Sequence, residues 1–295
     1  MRSDTYTILP KIEDAFLDTA NRLMVENDTV QMSYIEQSEK TLGEISIDVK
    51  SEVLSLQTFR YSCTIDKQQL FEMQSLYNVD MVSQAYSTLN TEELVNTQKL
   101  LLSYYQDLGD IHRSLSYSKY EKFLEKYLKV NLNKKYLNYK TISTYILNIH
   151  NLLNVTSRIG GATFCVLSQH AFTELASHSK ELIFTKNETG LLNNISSIRL
   201  VGSIRGVDLF ISPYAKDEIV MGKYTRPDSI GLYLVEKDRI ASHLDNVMCD
   251  YKPTETLMIE SVKTIKPIGV NAKKYYWSAK IYFKRKHFWR TLLNV

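Results

Sequence analysis

Ser168 and His170 stand two residues apart in CVLSQHAF, and a serine close to a histidine is the first requirement of a nucleophilic site. With His243 or Asp245 as a partner, an imidazole could take the hydroxyl proton while a carboxylate orients the ring. The surroundings favour a simpler role. No G-x-S-x-G elbow encloses Ser168, and it precedes Ala171, Phe172, Leu175 and Ala176 at helical spacing, where a hydroxyl caps the first turn. A cytoplasmic hydrolase using Ser168 and His170 therefore stands only as an alternative. The six histidines form no H-E-x-x-H and no H-x-E with a following C-x-x-C, so a metal site would have to be gathered from scattered residues. Cys63, Cys165 and Cys249 lie far apart, which fits neither a disulfide framework nor a zinc knuckle and suits a reducing compartment. The neighbouring carboxylates Glu92 and Glu93 fall in the polar part of a long helical repeat and are expected to face solvent.

The glycines are the remaining chemical signal. Gly202-Ser-Ile-Arg-Gly206 lacks the lysine of a phosphate loop and lies between two strand patterns, which predicts a tight β turn. Gly160–Gly161 precedes a strand, the reverse of a dinucleotide fingerprint. No catalytic, cofactor-binding or metal-ligating residue is assigned, no cofactor is expected, and the chain reads as a protein that is not an enzyme.

Charge argues against wholesale nucleic-acid binding. The 36 basic and 33 acidic residues leave a net +3 over 295 residues, so any contact with DNA must be local. Residues 113–138, rich in Lys, Tyr and Asn as in KYEKFLEKYLKVNLNKKYLNYK, read as a solvated helix whose Glu121 and Glu125 pair with lysines, and NETGLLNNISS, from Asn187, reads as a loop. The C-terminal KKYYWSAKIYFKRKHFWR reads as a strand with one buried face, ending in the basic cluster Lys284, Arg285 and Lys286. With 44% hydrophobic and 23% charged residues the balance is that of a folded globular chain. Its 20 tyrosines suit half-buried strands and interfaces, where the ring is apolar and the hydroxyl stays hydrogen-bonded. No apolar run approaches bilayer length, and MRSDTYTILPKIED lacks a signal-peptide core, so a protein made in a cytoplasm is expected.

The elements that hold these residues can be predicted in turn. Residues 1–42 are polar, with one weak helical stretch at Ile12, Ala15, Phe16 and Thr19, and are expected to form an arm. Ile45, Ile47 and Val49 alternate, then Phe59, Tyr61, Cys63 and Ile65, which predicts a thin extended hairpin over 43–65. Asp66 can cap a short helix, Asn78 interrupts it, and Asp80 can cap a long one ending at Gly109, with a single apolar stripe at Val82, Ala85, Leu89, Leu94, Leu101, Tyr105 and Leu108. A second helix carries Ile142, Tyr145, Ile149 and Leu152. Thr163–Leu167 is a buried strand, and the remainder is rich in strands: RLVGSIRGVDLFISPYA, EIVMGKY, IGLYLVEKD, TLMIESVKTI and YYWSAKIYF.

Three stretches, in order, carry a family resemblance. ISIDVK…LQTFRYSCTIDKQQLFEMQSLYNVDMVSQAYSTLNTEELVNTQK resembles the extended loop and spine helix of the major capsid proteins of T-even-type myoviruses, with Tyr77-Asn-Val-Asp80 at the break and Leu89-Asn-Thr-Glu92 in the helix. ISTYILNIHNLLNVTSRIGGATFCVLSQHAFTELAS resembles the helix, glycine turn, strand and helix entering that family's axial domain. LVGSIRGVDLFISPYAKDEIVMGKYTRPDSIGLYL is similar to its glycine and tyrosine pattern, with Gly202, Gly206, Pro213, Tyr214, Ala215, Gly222, Tyr224, Gly231 and Tyr233 on matching positions and Ser212 in place of an aspartate.

The resemblance implies an α+β Hong Kong 97-type phage capsid fold. It divides into an N-terminal arm (1–42), an extended loop (43–65), a peripheral domain with the spine helix (66–157), an axial domain (158–252) and C-terminal strands returning to the peripheral domain (253–295). It further implies a virion subunit, made in the host cytoplasm, that assembles with identical chains as hexamers and pentamers into an icosahedral shell around double-stranded DNA. Scaffolding and portal proteins would be partners during assembly, packaged DNA a weak contact, and no membrane is involved. A pentamer-only vertex subunit is the alternative within the class.

Overall fold

The computed structural model describes residues 7–8, 14–41, 44–109, 113–116, 137–158, 160–178, 182–184, 197–215, 218–224, 230–249 and 252–282. The chain forms two compact units: residues 1–101 with 225–270, and 102–224 with 271–295. These boundaries differ from those expected at 157/158 and 252/253, because strand pairing recruits residues 231–249 to the first unit.

The first unit is organised on one 17-residue strand, β14 (Lys252–Ile268). Along one edge runs β5 (Gln57–Asp66), antiparallel, with Asp66 opposite Thr254 and Gln57 opposite Lys263. The other edge takes β12 (Gly231–Glu236) and then β13 (Ile240–Cys249), the two separated by a bend at 237–239. In that bend the Lys237 N–H donates to the Val262 carbonyl at 2.8 Å, which keeps the chain on β14 while its register changes. β2 (Asn21–Met24) lies parallel to β12, and β1 (Thr7–Ile8) antiparallel to β13.

Part of the expected arm is therefore packed into the first unit, with residues 16, 17 and 19–21 buried. Phe16, Leu17, Thr19 and Ala20 are buried around a 3-10 turn at Leu17–Thr19. The Asp14 carboxylate accepts from the Phe16 N–H at 2.6 Å and from the Gln98 side-chain amide. The expected pairing of the hairpin also changes. β3 (Thr29–Thr41) pairs antiparallel with β4 (Glu44–Ser55), whereas β5 leaves that ribbon and joins β14.

Two helices follow. α1 (Lys67–Tyr77) is capped by Asp66, whose side chain accepts from the Gln68 N–H at 2.8 Å, and it ends at Asn78 with φ of 53°. α2 (Met81–Leu108) is capped by Asp80, which accepts from the Ser83 N–H at 3.1 Å. Its Leu89, with Val82, Ala85 and Tyr86, packs on Ile65, Leu257 and Ile259 of the sheet, where Cys63 and Tyr61 are partly buried. α2 contributes its residues up to Leu101 to the first unit and the rest to the second.

The second unit is a seven-stranded sheet in the order β6 (Arg113–Ser116), β15 (Tyr276–Tyr282), β11 (Glu218–Gly222), β7 (Phe164–Ser168), β10 (Val207–Ser212), β9 (Arg199–Ile204), β8 (Leu182–Phe184). Residues 113–116 are thus strand where a helix was expected, and the rest of that basic strip, from 117 to 136, lies outside the described residues, as does the predicted loop over 187–196. α3 (Leu137–Ser157) and α4 (Gln169–His178) cover one face. Ile142, Tyr145, Ile146, Ile149 and Leu153 of α3, with Ala171, Phe172 and Leu175 of α4, meet Cys165, Leu167, Leu209, Ile211, Met221 and Trp277 from the strands. Leu152, expected in this stripe, is exposed; Leu153 takes its place.

The other face of the sheet is buried too, at Tyr276 and Ser278, where a strand with one buried face was expected. Tyr105 of α2 sits against Phe164 and Tyr276, each ring pair 5.0 Å apart. Ser278 Oγ donates to the Gln106 carbonyl at 3.0 Å. That approach explains Gly109: a Cβ there would lie 2.6 Å from the Ser278 backbone nitrogen. Its role is close contact, since its N–H simply closes the last α2 turn on the Tyr105 carbonyl at 3.1 Å. The β9–β10 turn forms as predicted, with Arg205 at φ 48° and Gly206 at φ 81°, the two positive values that a type I′ hairpin demands.

Candidate assembly surfaces

Among the described residues the ribbon β3–β4 pairs only with itself, from Thr29 opposite Ser55 to Thr41 opposite Glu44. A 13-residue strand extends about 40 Å. Alternation sorts its base into two faces. Met32, Tyr34 and Leu54 point to the buried side, and Lys266 of β14 reaches Glu52 at 3.4 Å. Gln31, Ser33, Ser51, Val53 and Val49 point the other way, and Val49 is 74% exposed. A two-stranded ribbon is marginal in water without a further surface to cover it.

α1 is the second such surface. It buries no residue fully, and Phe71 and Leu76 are 71% and 72% exposed, with Tyr77 and Met73 also open to solvent. Single exposed apolar residues are ordinary, but several on one short helix mark an interaction surface. In the second unit the edge strand β8 exposes Ile183 and Phe184.

Between helix and sheet of the first unit lies a charge cluster that the sequence reading assigned to solvent. Glu93 is buried. Its Oε2 accepts from Arg239 Nη1 at 2.9 Å and its Oε1 from Lys263 Nζ at 3.0 Å. Burial alone would push this carboxyl up; the charge of Lys263 and the hydrogen bonds from Arg239 and Lys263 outweigh it and hold the group below the ordinary carboxylate range. Lys263 also donates to Thr97 and stands 5.6 Å from the centre of the Phe59 ring. Arg22 pairs with Glu236 and Asp18 nearby, each at 3.1 Å. Glu93 lies four residues from Leu89 and eight from Leu101 of the apolar stripe, so helical spacing separates it from the exposed Glu92; its partners Arg239 and Lys263, distant in sequence, were not legible.

The residues considered for chemistry each have a structural setting of their own. Ser168 is buried and its Oγ accepts from the Ala171 N–H at 3.3 Å, the capping role its position predicts. His170 is exposed on α4. Both belong to the second unit, whereas His243 and Asp245 belong to the first, where His243 Nε2 lies 3.0 Å from Glu255. Burial pushes the Cys165 thiol well up, which leaves it an inert core group. Among the described residues no three His, Cys, Asp or Glu side chains gather as a metal site, and no helix is long and apolar enough to cross a membrane.

No family model matches the sequence, and no curated protein matches it. Solved structures do. The chain is similar to the capsid of cyanophage P-SCSP1u with a TM-score of 0.58 at 8% identity, over 94% of this chain and 91% of that one. It is similar to the Mycobacterium phage Che8 structure with a TM-score of 0.55 at 12% identity, over 95% and 93%. A chain of the holo-SrpI encapsulin complex from Synechococcus elongatus aligns with a TM-score of 0.50 at 7% identity, over 90% and 89%. The fold is the mixed α+β Hong Kong 97-type capsid fold.

Proposed function

We propose that the chain is a structural subunit, not an enzyme, that self-assembles into the icosahedral capsid shell enclosing a phage double-stranded DNA genome. One observation carries this reading: the β3–β4 ribbon has a face that no other described residue of the chain covers, in a fold shared with capsid subunits. Identical chains, as hexamers and pentamers, supply the missing surface, and repeated heterologous contacts that close give a finite shell. Contacts weak one at a time become stable by their number. The first unit takes the part of the peripheral domain and the second that of the axial domain. Scaffolding and portal proteins act during assembly, and packaged DNA makes local contacts only, consistent with a net charge of +3. The virion capsid is then where the chain resides. A vertex subunit confined to pentamers fits the same geometry and is separated by copy number per particle. The encapsulin similarity defines a second reading, a shell around a protein cargo.

The test trims the ribbon and leaves both sheets whole. Residues 36–48 are replaced by Asn-Gly, so that Ile35 and Val49, a register pair in the full ribbon, flank the new turn. Electron microscopy of the parent chain, expressed with neighbouring gene products, should show closed shells containing DNA. The trimmed chain should keep its circular dichroism and form none. Normal shells from the trimmed chain would remove the ribbon from assembly; shells holding protein in place of DNA would favour the second reading.

A further inference from the structure

We propose that Glu93 is an acid-sensitive latch: as a carboxylate it holds the Leu89–Thr97 stretch of α2 against β14 and the 237–239 bend, and protonation releases that stretch. The inference concerns the isolated chain and does not rest on shell building.

The geometry is one negative group between two positive ones. Each Glu93 oxygen takes a different cation; Glu93 and Lys263 are buried, each at 4% exposure, and Arg239 is half-buried at 11%. The two cations come from separate segments, so a single carboxylate ties α2 to both the strand and the bend beside it. The other charged or titratable groups around it have their own partners or face water. Arg22 pairs with Glu236 and Asp18, Lys237 with Asp28 at 2.9 Å, and Asp238 is exposed. On β5, the Tyr61 hydroxyl is raised by burial and by the nearby Glu93 and Glu92 charges. On α2 itself, Asn90 accepts from Arg239 at 3.1 Å, and Glu92 is exposed.

Protonating Glu93 takes from the buried Lys263 the carboxylate it faces, and from the half-buried Arg239 one of its partners. An unpaired buried charge is among the most destabilising features a fold can hold. β14 is held by backbone pairing with β5, β12 and β13, in which Glu93 takes no part. The strain therefore falls on the helix. A cleft lined by Arg22, Glu93, Arg239, Ser261 and Lys263 gives water a route to the carboxylate. The direction follows from linkage: the Glu93 pKa is lowered in the folded state, so its contribution is complete above the unfolded carboxylate value and is lost as pH falls through the folded one.

Pulse-labelled hydrogen exchange on the full chain, from about pH 7 to about pH 3 and corrected for intrinsic rates, reads the latch. In the parent, amides of 89–97 should lose protection by ~100-fold or more in acid while β14 amides stay protected. Glu93→Gln should show the released helix already at neutral pH, with no further acid step. Replacing the triad together, as Glu93→Leu, Arg239→Leu and Lys263→Leu, removes every charge and should keep the helix docked throughout, because apolar substitutes for a buried ionic cluster are neutral or stabilising. This triple variant decides the matter if Glu93→Gln does not fold. Simultaneous loss of protection in helix and strand in the parent would overturn the proposal, as would an undiminished acid step in either variant.

Discussion

A Cβ placed on Gly109 would lie 2.6 Å from both the backbone nitrogen and Oγ of Ser278, whereas one placed on Gly206 would meet nothing within 4 Å. The two glycines are thus required for different reasons, space at one and a φ of 81° at the other. Gly206→Ala should cost about 1 kcal/mol, the strain of an L-residue in the left-handed region. Gly109→Ala should cost more, about 3 kcal/mol, because the clash is with backbone and overpacked cores yield poorly. Ser278 cannot swing aside without losing its bond to the Gln106 carbonyl. Urea denaturation of the two variants tests the order. Equal losses would show that β15 can shift at Ser278.

At the scale of elements, Ser168 is the case where a chemical and a structural role compete directly. As a cap on α4 it should yield about 1 kcal/mol of stability when changed to Ala. Ser168→Ala with His170→Ala should leave particle yield and every hydrolytic rate unaltered; a lost hydrolysis would restore the nucleophile. This cap was legible because capping is local. So were Asp66, Asn78 and Asp80, the β9–β10 turn and the β7–α4 unit, each written within a few residues. What escaped depends on distant partners. β5 alternates as clearly as β4, and nothing in either segment says that one joins β14 and the other a free ribbon. β3 reads QMSYIEQSEKT, polar because one face of its ribbon is open at the base, so the alternation that marks a half-buried strand is faint. Of the candidate surfaces, the ribbon could be anticipated in outline, as an extended hairpin. The exposed residues of α1 could not, since Leu70, Phe71, Met73 and Leu76 look alike until Leu70 alone turns toward the sheet.

For the whole molecule, the balance between a stable single chain and a stable assembly turns on where apolar surface is spent. Each unit has a core of its own, with Leu89, Leu257 and Ile259 in one and a layer between sheet and two helices in the other. Phe71 and Leu76 belong to neither. Replacing exposed residues outside any packed or bonded network changes stability by no more than about 0.5 kcal/mol. Burying two such side chains at every contact of a shell contributes about 1.5–3 kcal/mol each. Phe71→Ser with Leu76→Ser should therefore leave the urea midpoint of the unassembled chain within error of the parent. The same variant should raise the concentration at which particles appear in light scattering by at least ~10-fold, since every subunit forfeits the contact. If the unassembled chain is destabilised instead, α1 is already covered within the monomer, and the candidate contact surfaces reduce to the ribbon and β8.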